Sequence, residues 1–76
     1  MSSIDPILFN AITNLRAGLG IHLKQTGAIV ARCGAIVGTP IEVSPEMAGI
    51  AGEADRHLAA TLRCLDEFAT LLEHQK

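Results

Sequence analysis

The sequence has very few large aromatic residues: Phe9 and Phe68 are its two phenylalanines, and it has no tryptophan or tyrosine. Yet 49% of its 76 residues are hydrophobic, so the apolar mass is mainly alanine, isoleucine, leucine and valine. Such side chains suit long packed helices better than a small β-barrel. A chain of this length forms one domain at most, near the lower limit for a self-sufficient core.

The chain also lacks a long apolar run and a basic block. Its most apolar stretch, residues 27–38, is interrupted by Arg32, whereas a membrane-spanning helix needs about 20 apolar residues. Six Lys and Arg stand against eight Asp and Glu, a formal charge of −2, so phosphate-backbone binding lacks its usual electrostatic basis. The first six residues carry no basic side chain, which argues against a secretory signal. We therefore expect a soluble cytoplasmic protein that does not bind membranes.

No catalytic, metal-binding or nucleotide-binding motif stands out. Zinc sites need several Cys and His ligands at short spacings, and His57 and Cys64 stand seven residues apart. Glu53 and His57 are four apart, not three as in the Glu-x-x-His pattern of di-iron bundles. No phosphate-loop lysine follows Gly18-x-Gly20 at the required spacing. We predict no enzyme activity, no cofactor and no metal site.

Two helix starts and one stop divide the chain. Asp5-Pro6 and Ser44-Pro45 each place a capping acceptor before a proline at the first helical position. Between them, Gly38 followed by Pro40 provides a stop. These signals predict a helix over about 6–37, a turn over 38–44 and a helix over about 45–74. Because so short a connection forces antiparallel neighbours, the predicted fold is all-α, an antiparallel two-helix hairpin forming one domain over 1–76.

The hydrophobic spacing supports two long helices, because apolar residues in each alternate three and four apart, as in coiled coils. The predicted seam of the first helix comprises Leu8, Ile12, Leu15, Leu19, His22, Thr26, Ile29, Cys33 and Ile36. That of the second comprises Met47, Ala51, Ala54, Leu58, Thr61, Leu65, Phe68 and Leu72. Two helices touching along one seam leave much apolar surface exposed. We therefore predict a homodimer, a four-helix bundle with these residues as core and interface.

Small residues form a second pattern on the opposite side of the first helix. Gly20, Gly27 and Gly34 recur every seven residues, and Ala31 lies between the last two. Small residues in register let another helix approach closely, so this row predicts a close-packed face and an inner position for the first helix. The alternatives are a helix broken by Gly18 and Gly20, with segments 6–17, 21–37 and 45–74, or a strand over 28–37.

Polar residues interrupt both predicted seams. The interrupting residues are His22, Thr26 and Thr61. Folding the chain back brings His22 level with Thr61, which predicts a shared polar layer that fixes register; a satisfied or rim-exposed His22 and a catalytic or pH-sensing His22 are the alternatives. Cys33 and Cys64 would lie roughly 20 Å apart along the hairpin at ~1.5 Å per residue, too far for an intrachain disulfide. We predict packing thiols, with an intermolecular bridge or a redox thiol as the alternative.

Charge also favours the hairpin. Folding back places Arg16 near Glu67 and Arg32 near Glu53, in pairs worth ~0–1 kcal/mol each that help to fix orientation.

Three further apolar residues widen the stripe of the second helix: Ile50, Leu62 and Leu71. A wide stripe either completes a four-helix core or presents a surface to a partner.

The predicted hairpin resembles other short helical hairpins in architecture alone. As a dimer of hairpins it resembles the plasmid copy-number regulator Rop, which binds RNA, and its turn over 38–45 is similar to that of type III secretion needle subunits. The heptad-spaced glycines resemble those of the rotor subunit of ATP synthases, but the charges of the second helix exclude a membrane hairpin. These likenesses assign no family.

Three functional hypotheses follow. The leading one is a non-enzymatic homo-oligomer that binds another, unidentified protein as a regulator, inhibitor or adaptor. The second is a Rop-like dimer that binds nucleic acid through Arg16, Lys24 and Arg32 of paired helices. The third is a subunit of a secretion or structural assembly.

Overall fold

A computed structural model describes residues 4–74 and shows two long helices packed side by side. α1 spans Pro6–Ala35 and α2 spans Pro45–Glu73. Contacts between residues 50 apart near the termini and 29 apart nearer the turn make the pair antiparallel. The predicted helical hairpin is confirmed.

Both alternatives for the first helix are wrong. α1 continues through Gly18 and Gly20, and residues 28–35 are helical rather than extended. α1 ends two residues before the predicted boundary, and α2 ends one residue before it.

The two helix starts form as their sequences predict. Asp5 precedes α1, and its Oδ1 accepts a hydrogen bond from the backbone N–H of Ile7 at 2.9 Å. Ser44 precedes α2, and its Oγ accepts from the backbone N–H of Met47 at 3.1 Å. In each case a proline follows the cap, where its missing N–H leaves no helical hydrogen bond unmade.

The turn reverses the chain through Gly38. This glycine has φ +81°, in the left-handed region where a side chain is strained. The carbonyl oxygen of Ile36 accepts hydrogen bonds from the backbone N–H and from Oγ1 of Thr39, at 3.1 and 2.6 Å. The Glu42 carboxylate accepts a hydrogen bond from the Gly38 N–H. These bonds satisfy backbone groups that the end of α1 leaves free.

The two helices meet along rows of residues that we call the hairpin seam. Its residues are half-buried or buried, apart from Val30, which is 37% exposed. On α1 it comprises Ile12, Arg16, Leu19, Leu23, Thr26, Val30 and Cys33; on α2 it comprises Ala48, Ala51, Asp55, Leu58, Leu62, Leu65, Ala69 and Leu72. The three-and-four spacing persists throughout, as in a coiled coil.

The observed seam shares one heptad row on each helix with the prediction and differs in the other. Of the predicted seam residues, Leu8, Leu15, His22 and Ile29 on α1 are exposed, as are Met47, Ala54, Thr61 and Phe68 on α2. Each helix carries apolar residues on three neighbouring rows, and packing against a single partner covers only two of them.

The hairpin buries little. Among residues 4–74, the buried hydrophobic residues are Ile36 and Leu72, at 8% and 6% exposure. The accessible surface is 5706 Å², whereas a compact monomer of 8.0 kDa exposes about 4,500 Å². A shape of 62 × 14 × 13 Å accounts for the difference, because a rod has more surface than a sphere of equal volume.

Candidate interaction surface

One side of the hairpin carries an ion pair. The Arg16 Nη2 and Nε atoms lie 2.6 and 2.7 Å from Asp66 Oδ1. The sequence predicts Glu67 as the partner of Arg16. The preceding residue, Asp66, is the partner instead, because it lies directly beside the hairpin seam. Both side chains are about half exposed, so water screens the pair and its contribution is at most about 1 kcal/mol.

A polar layer crosses the seam on the same side. The Thr26 hydroxyl lies 2.8 Å from Asp55 Oδ1 and 3.0 Å from the Leu23 carbonyl oxygen. A Cβ at Gly27 would lie 3.8 Å from Asp55 Oδ1. The register of these contacts places Leu23 level with Leu58 on one side of the layer. A polar pair between apolar layers favours this register over one shifted by a heptad.

Thr26 is among the polar seam residues that the sequence predicts, but Asp55, its partner, is not, and the predicted pairing of His22 with Thr61 does not form among the described residues. His22 is exposed, with Nδ1 3.0 Å from Gln25 Oε1. Thr61 is exposed, and its hydroxyl donates to the carbonyl oxygen of His57 at 2.9 Å. The signal for Asp55 was its spacing, three residues before Leu58 and seven before Leu62.

Replacing this polar pair tests its energetic coupling. We expect Thr26→Val alone to lower the free energy of unfolding by about 1 kcal/mol, because Asp55 loses a donor. The double variant Thr26→Val/Asp55→Leu should be at least as stable as the natural chain, because an apolar layer replaces a polar one. Urea unfolding of both single variants and the double variant at one protein concentration measures the coupling. Effects that merely add would contradict it.

The other side of the hairpin carries exposed apolar residues, which we name the apolar strip. Its members are 42% to 68% exposed and are Leu15, Ile29, Met47, Ile50, Phe68 and Leu71. Each strip residue directly precedes a residue of the hairpin seam in the sequence. In an antiparallel pair, the residues that directly precede the seam on one helix lie on the same side of the pair as those that precede it on the other. Strip residues of both helices therefore share one side, and Arg16, Asp66 and Gly27 lie on the other.

The remaining predicted surface residues are distributed over both helices. In the glycine row, a Cβ at Gly27 would have a neighbouring atom within 4 Å, whereas a Cβ at Gly20 or Gly34 would have none in the hairpin. Ala31 is exposed, and Leu62 lies half-buried in the hairpin seam.

The other basic and thiol residues predicted as sites are distributed over both helices. Lys24 and Arg32 are exposed, and no ion pair between Arg32 and Glu53 forms among the described residues. Cys33 is half-buried in the seam, Cys64 is exposed, and both are free.

Residues 4–74 bring together no group of three or more His, Cys, Asp or Glu side chains able to hold a metal ion. Within the same residues, neither helix is apolar enough over its length to cross a membrane. The chemically distinctive feature of the described surface is thus the apolar strip. No protein-family model matches this chain, and no curated protein and no solved structure matches it either.

Proposed function

We propose that this chain is a non-enzymatic cytoplasmic protein that self-associates and acts by binding another protein, as a regulator, inhibitor or adaptor. One observation carries the proposal: the hairpin leaves large apolar side chains exposed on one side, in the apolar strip. Such patches on soluble proteins mark interaction sites. Free cysteines suit a reducing compartment.

The surface area supports association into a four-helix bundle. Two hairpins expose twice 5706 Å², whereas a compact dimer of this mass exposes about 7,400 Å². A bundle would therefore bury at most about 4,000 Å² in total, and obligate homodimers bury about 2,000–5,000 Å². Four helices would enclose side chains that two helices leave in water.

Nucleic-acid binding has less support. Of the three basic residues of α1, Arg16 already pairs with Asp66 at 2.6 Å, so that charge is partly neutralised. Lys24 and Arg32 are exposed, and a dimer doubles them to four cations, few for the counterion release that drives phosphate binding.

Concentration-dependent unfolding tests the proposed self-association. We expect sedimentation to give twice the chain mass at high concentration, and the thermal midpoint to rise with protein concentration, because mass action favours the associated folded state. Circular dichroism at 222 nm follows the same samples. A folded monomer with a constant midpoint from about 1 μM to about 1 mM, a range that includes modest homodimer affinities, would refute self-association.

A further inference from the structure

α2 carries a second heptad seam outside the hairpin. Each of its positions is one residue before a position of the hairpin seam, from Met47 to Leu71, and every one is exposed. The spacing alternates three and four for seven steps, the coiled-coil pattern of a helix with a partner. Within the hairpin this outer seam has no partner helix.

The angle between the two seams of α2 suits a four-helix bundle. Successive residues lie about 100° apart around a helix, so a seam displaced by one residue faces nearly perpendicular to the first. In a square bundle each helix contacts two neighbours at about that angle. α2 thus has one face for α1 and a second, at a right angle, for a helix of another molecule.

The size pattern of the outer seam is the same from either end. Large apolar residues occupy both ends, Met47 and Ile50 near the turn and Phe68 and Leu71 near the termini. Between them lie smaller or polar residues, Ala54, His57, Thr61 and Cys64. A two-fold interface requires a patch that complements itself, and a pattern with large apolar residues at both ends and smaller or polar residues between them meets that requirement.

α1 contributes less to this side. The positions one residue before its hairpin seam include Leu15 and Ile29, but also the polar residues Gln25 and Arg32, all exposed. Since charged residues are depleted at interface cores, α2 provides the centre of the contact and α1 its edge.

We infer that a second copy of this chain covers the outer seam of α2, so that the two α2 helices pack together across a two-fold axis. The inference rests on the proposed self-association and assigns it to one face. The apolar ends of the outer seam pack on apolar ends of the second copy, and at the middle Ala54 lies opposite Cys64 and His57 opposite Thr61. The assembly stops at two copies, because in an isologous contact the same patch of each copy binds the other and none remains free for a third.

Paired lysine substitutions test the face directly. The test variant is Ile50→Lys/Phe68→Lys, and the matched control is Ile7→Lys/Ile21→Lys, whose isoleucines are 79% and 61% exposed and lie off the strip. Both variants gain the same charge, and the lysine that replaces Ile50 would lie one turn from Glu46 and Glu53, which favours the helix. Sedimentation equilibrium should show the dimer weakened at least about 100-fold in the test variant, because burying lysines in the apolar ends of the contact is penalised. The control should dimerise like the natural chain.

A second measurement needs no disruptive substitution. Cys64 is on the outer seam, and Cys33 is in the hairpin seam. In the Cys33→Ser variant, the rate at which Cys64 reacts with a thiol reagent should fall about tenfold between concentrations that give monomer and dimer. In a control with Cys33→Ser, Cys64→Ser and Ala28→Cys, the exposed residue 28 should react at one rate throughout.

The outcomes separate this inference from the proposed function. The outer seam is supported as the interface if the test variant loses the dimer while the control keeps it, and if Cys64 reacts more slowly at protein concentrations that give dimer. Suppose that the natural chain dimerises, but the test variant dimerises equally well or the reaction rate of Cys64 does not fall on dimerisation. Either result overturns the assignment to this face, while self-association still holds. A natural chain that stays monomeric overturns both.

Discussion

Leu72→Ala is expected to lower the free energy of unfolding by about 2–4 kcal/mol, the usual cost of removing a buried leucine side chain. Leu72 is the least exposed hydrophobic residue described, at 6%. A small helical domain has only a few kcal/mol of stability, so this one substitution should leave a substantial unfolded fraction. Urea unfolding followed at 222 nm measures the change.

The matched control for Leu72 is Ile21→Ala. Ile21 is 61% exposed on the outward face of α1, and its loss should change stability by about 0.5 kcal/mol or less. The adjacent Leu71 is unsuitable as a control, because it belongs to the apolar strip. Equal effects of Leu72→Ala and Ile21→Ala would mean that the hairpin seam does not hold the helices together.

Gly20→Ala/Gly34→Ala is expected to raise the free energy of unfolding by about 1–2 kcal/mol, since each glycine inside a helix costs about 0.5–1 kcal/mol relative to alanine. A Cβ at either position meets no atom within 4 Å. The two sites are about 21 Å apart along α1 at ~1.5 Å per residue, so their effects should add. Thermal and urea unfolding of the single and double variants measure the gain.

Gly38→Ala is the control of opposite sign for the glycine pair. Its φ of +81° is strained for a residue with a side chain, and the substitution should cost about 1 kcal/mol. If Gly20→Ala/Gly34→Ala instead weakened the protein or its self-association, the glycine row would pack closely against another helix, as the sequence pattern alone suggested.

The sequence predicts the hairpin well because its boundaries depend on local chemistry. Asp5 and Ser44 cap helices through bonds to residues two and three positions away, and Gly38 adopts the left-handed conformation expected of a stop. Such signals act within one turn and do not depend on what the helices pack against.

The phase of the seam could not be predicted in the same way. Apolar residues occupy three adjacent rows of each helix, and spacing alone does not show which two face the partner. The choice depends on tertiary contacts, among them the position of Asp55 opposite Thr26. An acidic residue on a helix is normally solvent-exposed, so the sequence alone does not place Asp55 in the seam. For the same reason it places Leu62 beside the seam, where the structure has it half-buried within the seam.

The antiparallel pairing about Gly38 also bears on how the chain folds. Thr26 and Asp55 are 29 residues apart, while Arg16 and Asp66, farther from the turn, are 50 apart. The loop that each contact closes therefore lengthens steadily away from the turn, and its entropic cost grows with that length. Helix pairing should thus begin beside the turn and proceed toward the termini. Each pair of contacts that forms shortens the unpaired segment that the next contact must close.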